Sequence, residues 1–370
     1  MNSPSKLIVL TGGGTAGHVI PNLALVPLLQ NAGWAIQYIG SELGIEKKLV
    51  SEKGLKFYGI STGKLRRYFD WKNFTDPFLV LAGIYQAWKI LGQLKPKIVF
   101  SKGGFVAVPV VFAAWLRHIP ILLHESDLTP GLANRLSIPF AKIICASFPQ
   151  TLSHLPTGKG ILTGAPIRAE LFSGDKAKGL KFLNFDSEIS PLEKMPDASL
   201  AKPLLLIVGG SMGSRNLNTA VRVALPQLLK HFRIAHLCGK GGLDSTLQGL
   251  EDYKQFEFVG PEMADILTAA DLILSRSGSN AIFEFLALKK LNLLIPLSLK
   301  ASRGDQILNA NSFVSQGYSA MLPEEEIGGD RLLRELQNLQ SHAEQYHQAM
   351  QSSPFQNGAG NVFEIIQKFA

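Results

Sequence analysis

The chain has 370 residues, 46% of them hydrophobic and only 18% charged, a length that predicts two or three domains with sizeable cores. This balance excludes a disordered tail protein and a coiled coil. A net charge of +8 on so apolar a chain points to an anionic partner: a nucleotide, a nucleic acid or a membrane surface.

In chain order, Lys6 is followed by only Leu7-Ile8-Val9-Leu10 before glycines begin, so no secretory apolar region is expected. Lys6–Leu10, Ala35–Ile39, Ile98–Ser101, Ile121–His124 and Ile143–Cys145 read as parallel strands buried on both faces, because their apolar residues are continuous. The longest apolar run, Phe105–Leu116, contains Pro109 and is shorter than the roughly 18–20 residues of a membrane-spanning helix. Gly174–Pro203 reads as a surface excursion. Strands resume at Leu204–Val208, Ala235–Cys238, Phe256–Val259, Leu272–Leu274 and Leu293–Ile295. Strands alternating with helix-length segments predict a doubly wound α/β protein. The loosening after Pro166 sets the expected domain boundary, 1–166 and 167–354. Cys145 and Cys238, the only cysteines, exclude a disulfide framework and a four-cysteine zinc site and favour a reducing compartment.

The two halves echo each other. Leu7–Leu10 leads into Thr11-Gly12-Gly13-Gly14-Thr15-Ala16-Gly17-His18, and Leu204–Val208 into Gly209-Gly210-Ser211-Met212-Gly213-Ser214. Each is a strand, a glycine-rich turn and a helix, which predicts two Rossmann-like domains facing a cleft, with ligand at the carboxyl ends of the strands. Gly12, Gly14 and Gly17 satisfy G-x-G-x-x-G, a turn that admits a diphosphate at a helix N-terminus or simply closes tightly. A nicotinamide cofactor is disfavoured, because Glu42 is the only acidic candidate for a ribose and is poorly placed. His18 is positioned to meet a phosphate or take a proton from a hydroxyl, against a bland packing role. Pro21 suits the first turn of a helix after His18, whereas Pro27 should kink or end that helix.

Arg276-Ser277-Gly278-Ser279-Asn280 opens a helix carrying Glu284, with Ser279 as the expected N-cap. Glu284 is either a ribose-binding carboxylate or a solvated helix residue. His124-Glu125-Ser126-Asp127 ends a strand, where such groups are costly unless solvated, capping or functional. Its spacing is not that of a metal site. In Lys64–Leu91, Phe78, Leu81, Tyr85 and Trp88 share one helical face near Lys64, Arg66, Arg67 and Lys72. That face either packs on the sheet or meets a membrane surface.

Together, Gly12–Pro21, His124-Glu125, Gly209–Ser214 and Arg276–Glu284 resemble the MurG family of glycosyltransferases, in order from about Lys6 to about Tyr318. The resemblance implies a GT-B fold, an α/β pair of Rossmann-like domains, with a C-terminal helix (355–370) crossing back to the first domain. It implies an inverting transfer of N-acetylglucosamine from UDP-GlcNAc to the C4 hydroxyl of the N-acetylmuramoyl unit of lipid I, giving lipid II. The N-terminal domain would take the lipid acceptor and the membrane surface, and the second the donor. Glu284 matches the ribose-binding carboxylate, Ser279, Asn280, Ala281, Ile282 and Phe283 the turn at the diphosphate, and Ser211 the serine of the second glycine loop. Arg168 matches a donor-contacting arginine, Gln306 a sugar-contacting glutamine, and Val259 the position whose backbone reads uracil. Thr15, Ala16 and Gly17 match the loop lining the donor sugar, with His18 beside the reaction centre, and Lys102-Gly103-Gly104-Phe105 resembles a further glycine turn on the acceptor side. Many members read His-Glu-Gln-Asn at 124–127, so Asp127 replaces an amide with a group that only accepts hydrogen bonds.

Inversion needs a base, for which His18 is the first candidate and Asp127 and Glu125 the others. No cofactor is expected, and a divalent cation is left optional. The resemblance implies an anionic membrane surface as a partner, at the cytoplasmic face of the cell membrane, and leaves other cell-wall synthesis proteins as candidate partners. Nucleic acid is not expected, since no RNA-binding motif is visible. The rivals are a UDP-GlcNAc 2-epimerase on the same fold and a non-catalytic UDP-sugar-binding subunit.

Overall fold

A computed structural model describes residues 6–63, 72–185, 202–210, 213–300, 302–355 and 357–370, with side chains of 72–76 outside the description. The chain forms two compact units, residues 1–168 with 357–370, and residues 169–356.

Unit 1 holds a seven-stranded parallel sheet: β1 (Leu7–Thr11), β2 (Ala35–Ser41), β3 (Lys56–Ile60), β4 (Ile98–Ser101), β5 (Ile121–Glu125), β6 (Ile143–Ala146) and β7 (Gly160–Leu162), in the order β3-β2-β1-β4-β5-β6-β7. The pleat explains the continuous apolar runs. Ile8, Leu10, Ile98, Phe100, Leu122, Ile143 and Cys145 pack on one face, and Val9, Val99, Ile121, Leu123 and Ile144 on the other. The first face is covered by the helices Ala16–Ala24 and Val26–Asn31 and by the C-terminal helix Ala359–Phe369, whose Val362 and Ile366 are fully buried. The hand-over into that last helix is hydrogen-bonded: Asn357 bonds both the N–H (3.1 Å) and the carbonyl (3.2 Å) of Ile167, and Gly358 N–H donates to Ala165 O at 2.9 Å. The second face takes Ala87 and Leu91 of the helix Lys72–Leu94 and the helix Ala107–Leu116.

Unit 2 holds a six-stranded parallel sheet: β8 (Leu204–Val208), β9 (Arg233–Leu237), β10 (Tyr253–Phe256), β11 (Leu272–Ser275), β12 (Leu291–Leu294) and β13 (Ala320–Met321), in the order β10-β9-β8-β11-β12-β13. Both sheets reverse direction of winding beside their first strand, between β1 and β4 and between β8 and β11. Open α/β sheets bind ligands at that switch point, beyond the carboxyl ends of the strands.

Two local expectations change and one is met. The first helix begins at Ala16, so Pro21 lies inside it rather than in its first turn. The expected break at Pro27 is met: the helix stops at Ala24, and Pro27 occupies the second position of the next helix, Val26–Asn31. At Arg276–Asn280 the extended residue is Gly278, and Ser279 is the first helical residue, not the cap.

Candidate active site

In unit 1 the switch point brings together three loops. After β1, Gly14 adopts φ +86°, and a Cβ there would lie 2.6 Å from the ring of Phe105. After β4, Gly104 adopts φ +81°, and a Cβ would lie 2.3 Å from the carbonyl oxygen of Gly13. The two turns therefore interlock only as glycine. Thr15 is exposed and precedes the helix in an extended conformation, and Ala16, Gly17 and His18 form its partly buried first turn. Thr15 Oγ1 and His18 Nδ1 are 3.0 Å apart, and Gly104 lies against the His18 ring.

A group that the sequence reading missed holds this loop. Glu46, in the helix Ile45–Glu52, is fully buried and accepts hydrogen bonds from Gly14 N–H (3.2 Å) and Ser41 N–H (2.9 Å). A Cβ at Gly13, Gly40 or Gly44 would lie within 2.8 Å of its side chain. An anion at Gly14 would share the loop with this carboxylate, which argues against a diphosphate there. Glu42 instead pairs with Lys47 at the surface.

After β5, the third loop is organised by buried charge. Lys102 is fully buried, and its Nζ donates to His124 Nδ1 at 2.9 Å and to Ser126 Oγ. His124 Nε2 donates to the Gly164 carbonyl at 3.1 Å. These partners define a neutral imidazole with its proton on Nε2. Burial and the Lys102 charge push the His124 pKa well below the ordinary imidazole range. Glu125 is buried and accepts from Asn134 Nδ2 (2.8 Å), Asp127 N–H (2.9 Å) and Gly131 N–H (3.1 Å). Those bonds fold residues 126–131 around its carboxylate, while burial and the Asp127 charge raise its pKa. Asp127 is partly exposed at the head of the loop. His18 is held at about 4, by burial first and by Lys102 second, with Asp127 acting in the opposite direction. Burial likewise pulls Lys102 down to about 8, against the charges of Glu125 and Asp127. Arg168, partly buried, closes unit 1.

In unit 2 the loops after β8 and β11 are tied by Arg276. Its buried guanidinium donates to Ser214 Oγ (3.1 Å from Nε), to the carbonyl of Ile295 (3.0 Å) and to the Glu324 carboxylate. Glu324 also accepts from Ser298 N–H at 3.3 Å. Burial opposes the charge of Glu324, but Arg276 outweighs it and lowers the pKa. Arg276 therefore serves as a strut between loops. Ser214 caps the helix Arg215–Leu228, and Ser211 lies outside the described residues. The helix Ser279–Ala287 starts at the switch point with its positive end toward the same edge. Ile282 and Phe283 are buried, with Phe283 edge-on to Phe313 at 5.2 Å, so their side chains belong to the core. Asn280, Ala281 and Glu284 are partly exposed, and Ser279 is buried. Gln306 Oε1 accepts from Leu297 N–H at 3.0 Å, which turns its amide nitrogen away from that loop, and its carbonyl accepts from Ser277 Oγ at 2.8 Å. Val259 is buried just beyond β10, next to the exposed Phe258. Among the described residues no group of three or more His, Cys, Asp or Glu side chains is arranged to hold a metal ion.

Residues 8–145 match the glycosyltransferase family 28 N-terminal domain, and residues 204–364 match the family 28 C-terminal domain. The chain belongs to glycosyltransferase family 28. Across 98% of its length it is 51% identical to the UDP-N-acetylglucosamine–N-acetylmuramyl-(pentapeptide) pyrophosphoryl-undecaprenol N-acetylglucosamine transferase of Clostridium perfringens, covering 98% of that protein. It is 52% identical to the enzyme of the same name from Clostridium tetani, with 98% of both chains covered. The crystal structure of Acinetobacter baumannii MurG is similar over 98% of this chain and 99% of that one, with a TM-score of 0.74 and 26% identity. The family 28 chain is thus an α/β protein of GT-B type. The UDP-GlcNAc 2-epimerase of Neisseria meningitidis, at a TM-score of 0.66 and 15% identity over 98% of both chains, shares the fold alone.

Proposed function

We infer that this chain is an inverting N-acetylglucosaminyltransferase that moves the sugar of UDP-N-acetylglucosamine to the C4 hydroxyl of the N-acetylmuramoyl unit of lipid I, forming lipid II. The observation that carries this reading is the 51% identity, over 98% of the chain, to an enzyme named for that transfer.

The donor binds at the switch point of unit 2. The Glu284 carboxylate accepts from the ribose hydroxyls, the backbone beside Val259 reads uracil, and the Gln306 amide meets the sugar. The diphosphate sits at the positive end of the helix Ser279–Ala287, with backbone at Ser279, Asn280, Ala281, Ile282 and Phe283 and the second glycine loop at Ser211 around it. These dipoles and Arg168 stabilise the charge that develops on UDP as it leaves. In unit 1, Thr15, Ala16 and Gly17 line the donor sugar, and Asp127 is the candidate base behind His18. His18 takes the acceptor proton. With Nδ1–H donating to Thr15 Oγ1, Nε2 keeps its lone pair for the hydroxyl. A pKa of about 4 keeps that lone pair available at neutral pH, and the two bound diphosphates strengthen it as a base by their negative charge. Glu125, with three donors already on its carboxylate, anchors the loop rather than acting as the base.

The protein works at the cytoplasmic face of the cell membrane without crossing it. No helix among the described residues is long and apolar enough to span a bilayer. On the helix Lys72–Leu94, Phe78 (73% exposed), Leu81 (62%), Tyr85 (65%) and Trp88 (41%) face solvent, and Trp115 and Leu116 on the neighbouring helix are exposed too. Arg117 stacks over Trp88 at 3.9 Å. Aromatics beside cations suit an anionic headgroup region. Lys64, Arg66 and Arg67, part of the same expected patch, lie outside the described residues.

Product analysis tests the reading. The chain is incubated with labelled UDP-N-acetylglucosamine, with and without a short-chain lipid I analogue. A disaccharide lipid formed only with acceptor is expected. Free N-acetylmannosamine would mean an epimerase, and donor binding without product a non-catalytic subunit.

A further inference from the structure

The sheet order of unit 2 places β9 between β10, whose end would carry the uracil, and β8 and β11, whose loops would hold the diphosphate. A nucleotide lying across these three strand spacings, about 4.8 Å each, must cross the carboxyl end of β9. That end is the turn Cys238-Gly239-Lys240-Gly241-Gly242. Gly242 N–H closes it by donating to Gly239 O at 2.9 Å, with Gly239 at φ +82° and Gly241 at φ +68°. The turn packs directly on the second glycine loop. A Cβ at Gly213 would lie 2.3 Å from Cys238 O and 2.9 Å from Gly239 Cα. A Cβ at Gly241, by contrast, would meet nothing within 4 Å, and the same holds at Gly278, just before the helix Ser279–Ala287. Bare backbone facing open space at both loops admits a ligand closely.

Polar groups hold this turn in place from below. Asn218 Nδ2 donates to Cys238 O at 2.8 Å, and Arg222 Nη2 donates to Gly242 O and, at 3.0 Å, to Gln255 Oε1. Gln255 in turn bonds both the N–H (3.1 Å) and the carbonyl (3.0 Å) of Asp244. Glu257 accepts from Gly241 N–H at 2.6 Å. The guanidiniums of Arg222 and Arg276 are thus committed to acceptors of the chain itself. Lys240 is different: it is exposed and, among the described residues, makes no hydrogen bond or ion pair. The only charged side chain of an ordered turn is therefore left to meet something outside the chain.

We propose that the Cys238–Gly242 turn is the floor beneath the nucleotide and that Lys240 is a donor-binding residue whose ammonium meets the diphosphate. This inference rests on the reading that places the donor at unit 2. The loop after β8 is one strand spacing away, about 4.8 Å, which the four-carbon stem of a lysine spans. The helix Ser279–Ala287 offers the diphosphate fixed dipoles, whereas Lys240 adds a full positive charge. That charge counts most as the sugar departs, because the electron pair of the broken bond stays on the β-phosphate oxygen.

The test is UDP binding to the full chain, measured by titration calorimetry with unfolding midpoints recorded alongside. Lys240→Met keeps the stem and removes the charge, and Lys240→Arg keeps a charge. Lys230→Met removes a charge just beyond the far end of the helix Arg215–Leu228. Lys240→Met is expected to weaken UDP about tenfold, the scale of one charge-assisted hydrogen bond, at an unchanged midpoint. Lys240→Arg should stay within about threefold of wild type and Lys230→Met within about twofold. Unchanged UDP affinity in Lys240→Met would overturn the proposal, as would an equal loss in Lys230→Met, which marks a diffuse field. A loss shared by Lys240→Met and Lys240→Arg would also overturn it, by assigning the effect to the shape of the turn. Glu284→Ala is titrated in parallel. Unchanged UDP affinity there removes the ribose assignment, whereas a loss there beside normal binding in Lys240→Met removes Lys240 alone.

Discussion

Glu46 shows how one side chain sets the first glycine loop. Its carboxylate accepts from Gly14 and Ser41 N–H, and three glycines leave room for it. Glu46→Ala removes the acceptor from two N–H groups and is expected to cost about 1–3 kcal/mol of stability, read by urea unfolding. Glu46 escapes the sequence because Ile45-Glu46-Lys47-Lys48 reads as a solvated helix, and the only hint is glycine at 40 and 44. Two buried histidines make a second prediction. His124 is neutral between Lys102 and Gly164. His236 is neutral between Tyr253 OH (2.8 Å) and Asn218 Oδ1 (3.1 Å), with burial holding it at about 3. Both resist a proton that the unfolded chain accepts near pH 6.5. Stability is therefore fully present above that pH and falls below it by about 1.4 kcal/mol per pH unit for each histidine. Urea midpoints at pH 7.5 and 5.5 check this, and equal midpoints would refute it.

At the level of elements, the central strands were legible and the sheet edges were not. β1, β4, β5, β6, β8 and β11 are buried on both faces and carry unbroken apolar runs. The edge strands β3, β7 and β13 pair on one side only, are partly exposed and went unread, and β10 lies at Tyr253–Phe256 rather than Phe256–Val259. Lys56 opens β3, β7 has three residues and β13 two, so none offers a period to detect. The site followed the same rule. Loops announced by glycine after a strand were legible, whereas the strut Arg276–Glu324 joins residues 48 positions apart and leaves no local pattern. The helix Lys72–Leu94 carries a prediction of its own. Leu81→Ser with Tyr85→Ser removes two exposed apolar groups and is expected to weaken binding to anionic vesicles about tenfold, while activity on a water-soluble acceptor stays unchanged. Vesicle co-sedimentation reads the first effect and the transfer assay the second.

For the whole molecule, each unit repeats one design: a parallel sheet, a switch point beside its first strand, and loops there tied by a buried charge, Glu46 and Lys102 in unit 1 and Arg276 in unit 2. The glycine loop of unit 1 already holds a carboxylate, while unit 2 offers the positive end of the helix Ser279–Ala287. That difference favours unit 2 over unit 1 for the nucleotide, as proposed above. The assignment is tested most directly by initial rates over a range of UDP-N-acetylglucosamine concentrations for Glu284→Ala and His18→Ala. Loss of the Glu284 carboxylate, proposed to bind the ribose, should raise the donor KM at least tenfold, with a smaller effect on kcat. Loss of His18, the proposed base, should lower kcat by about a hundredfold or more at an unchanged donor KM. A donor KM unmoved by Glu284→Ala, or a His18→Ala enzyme with wild-type kcat, would contradict the account.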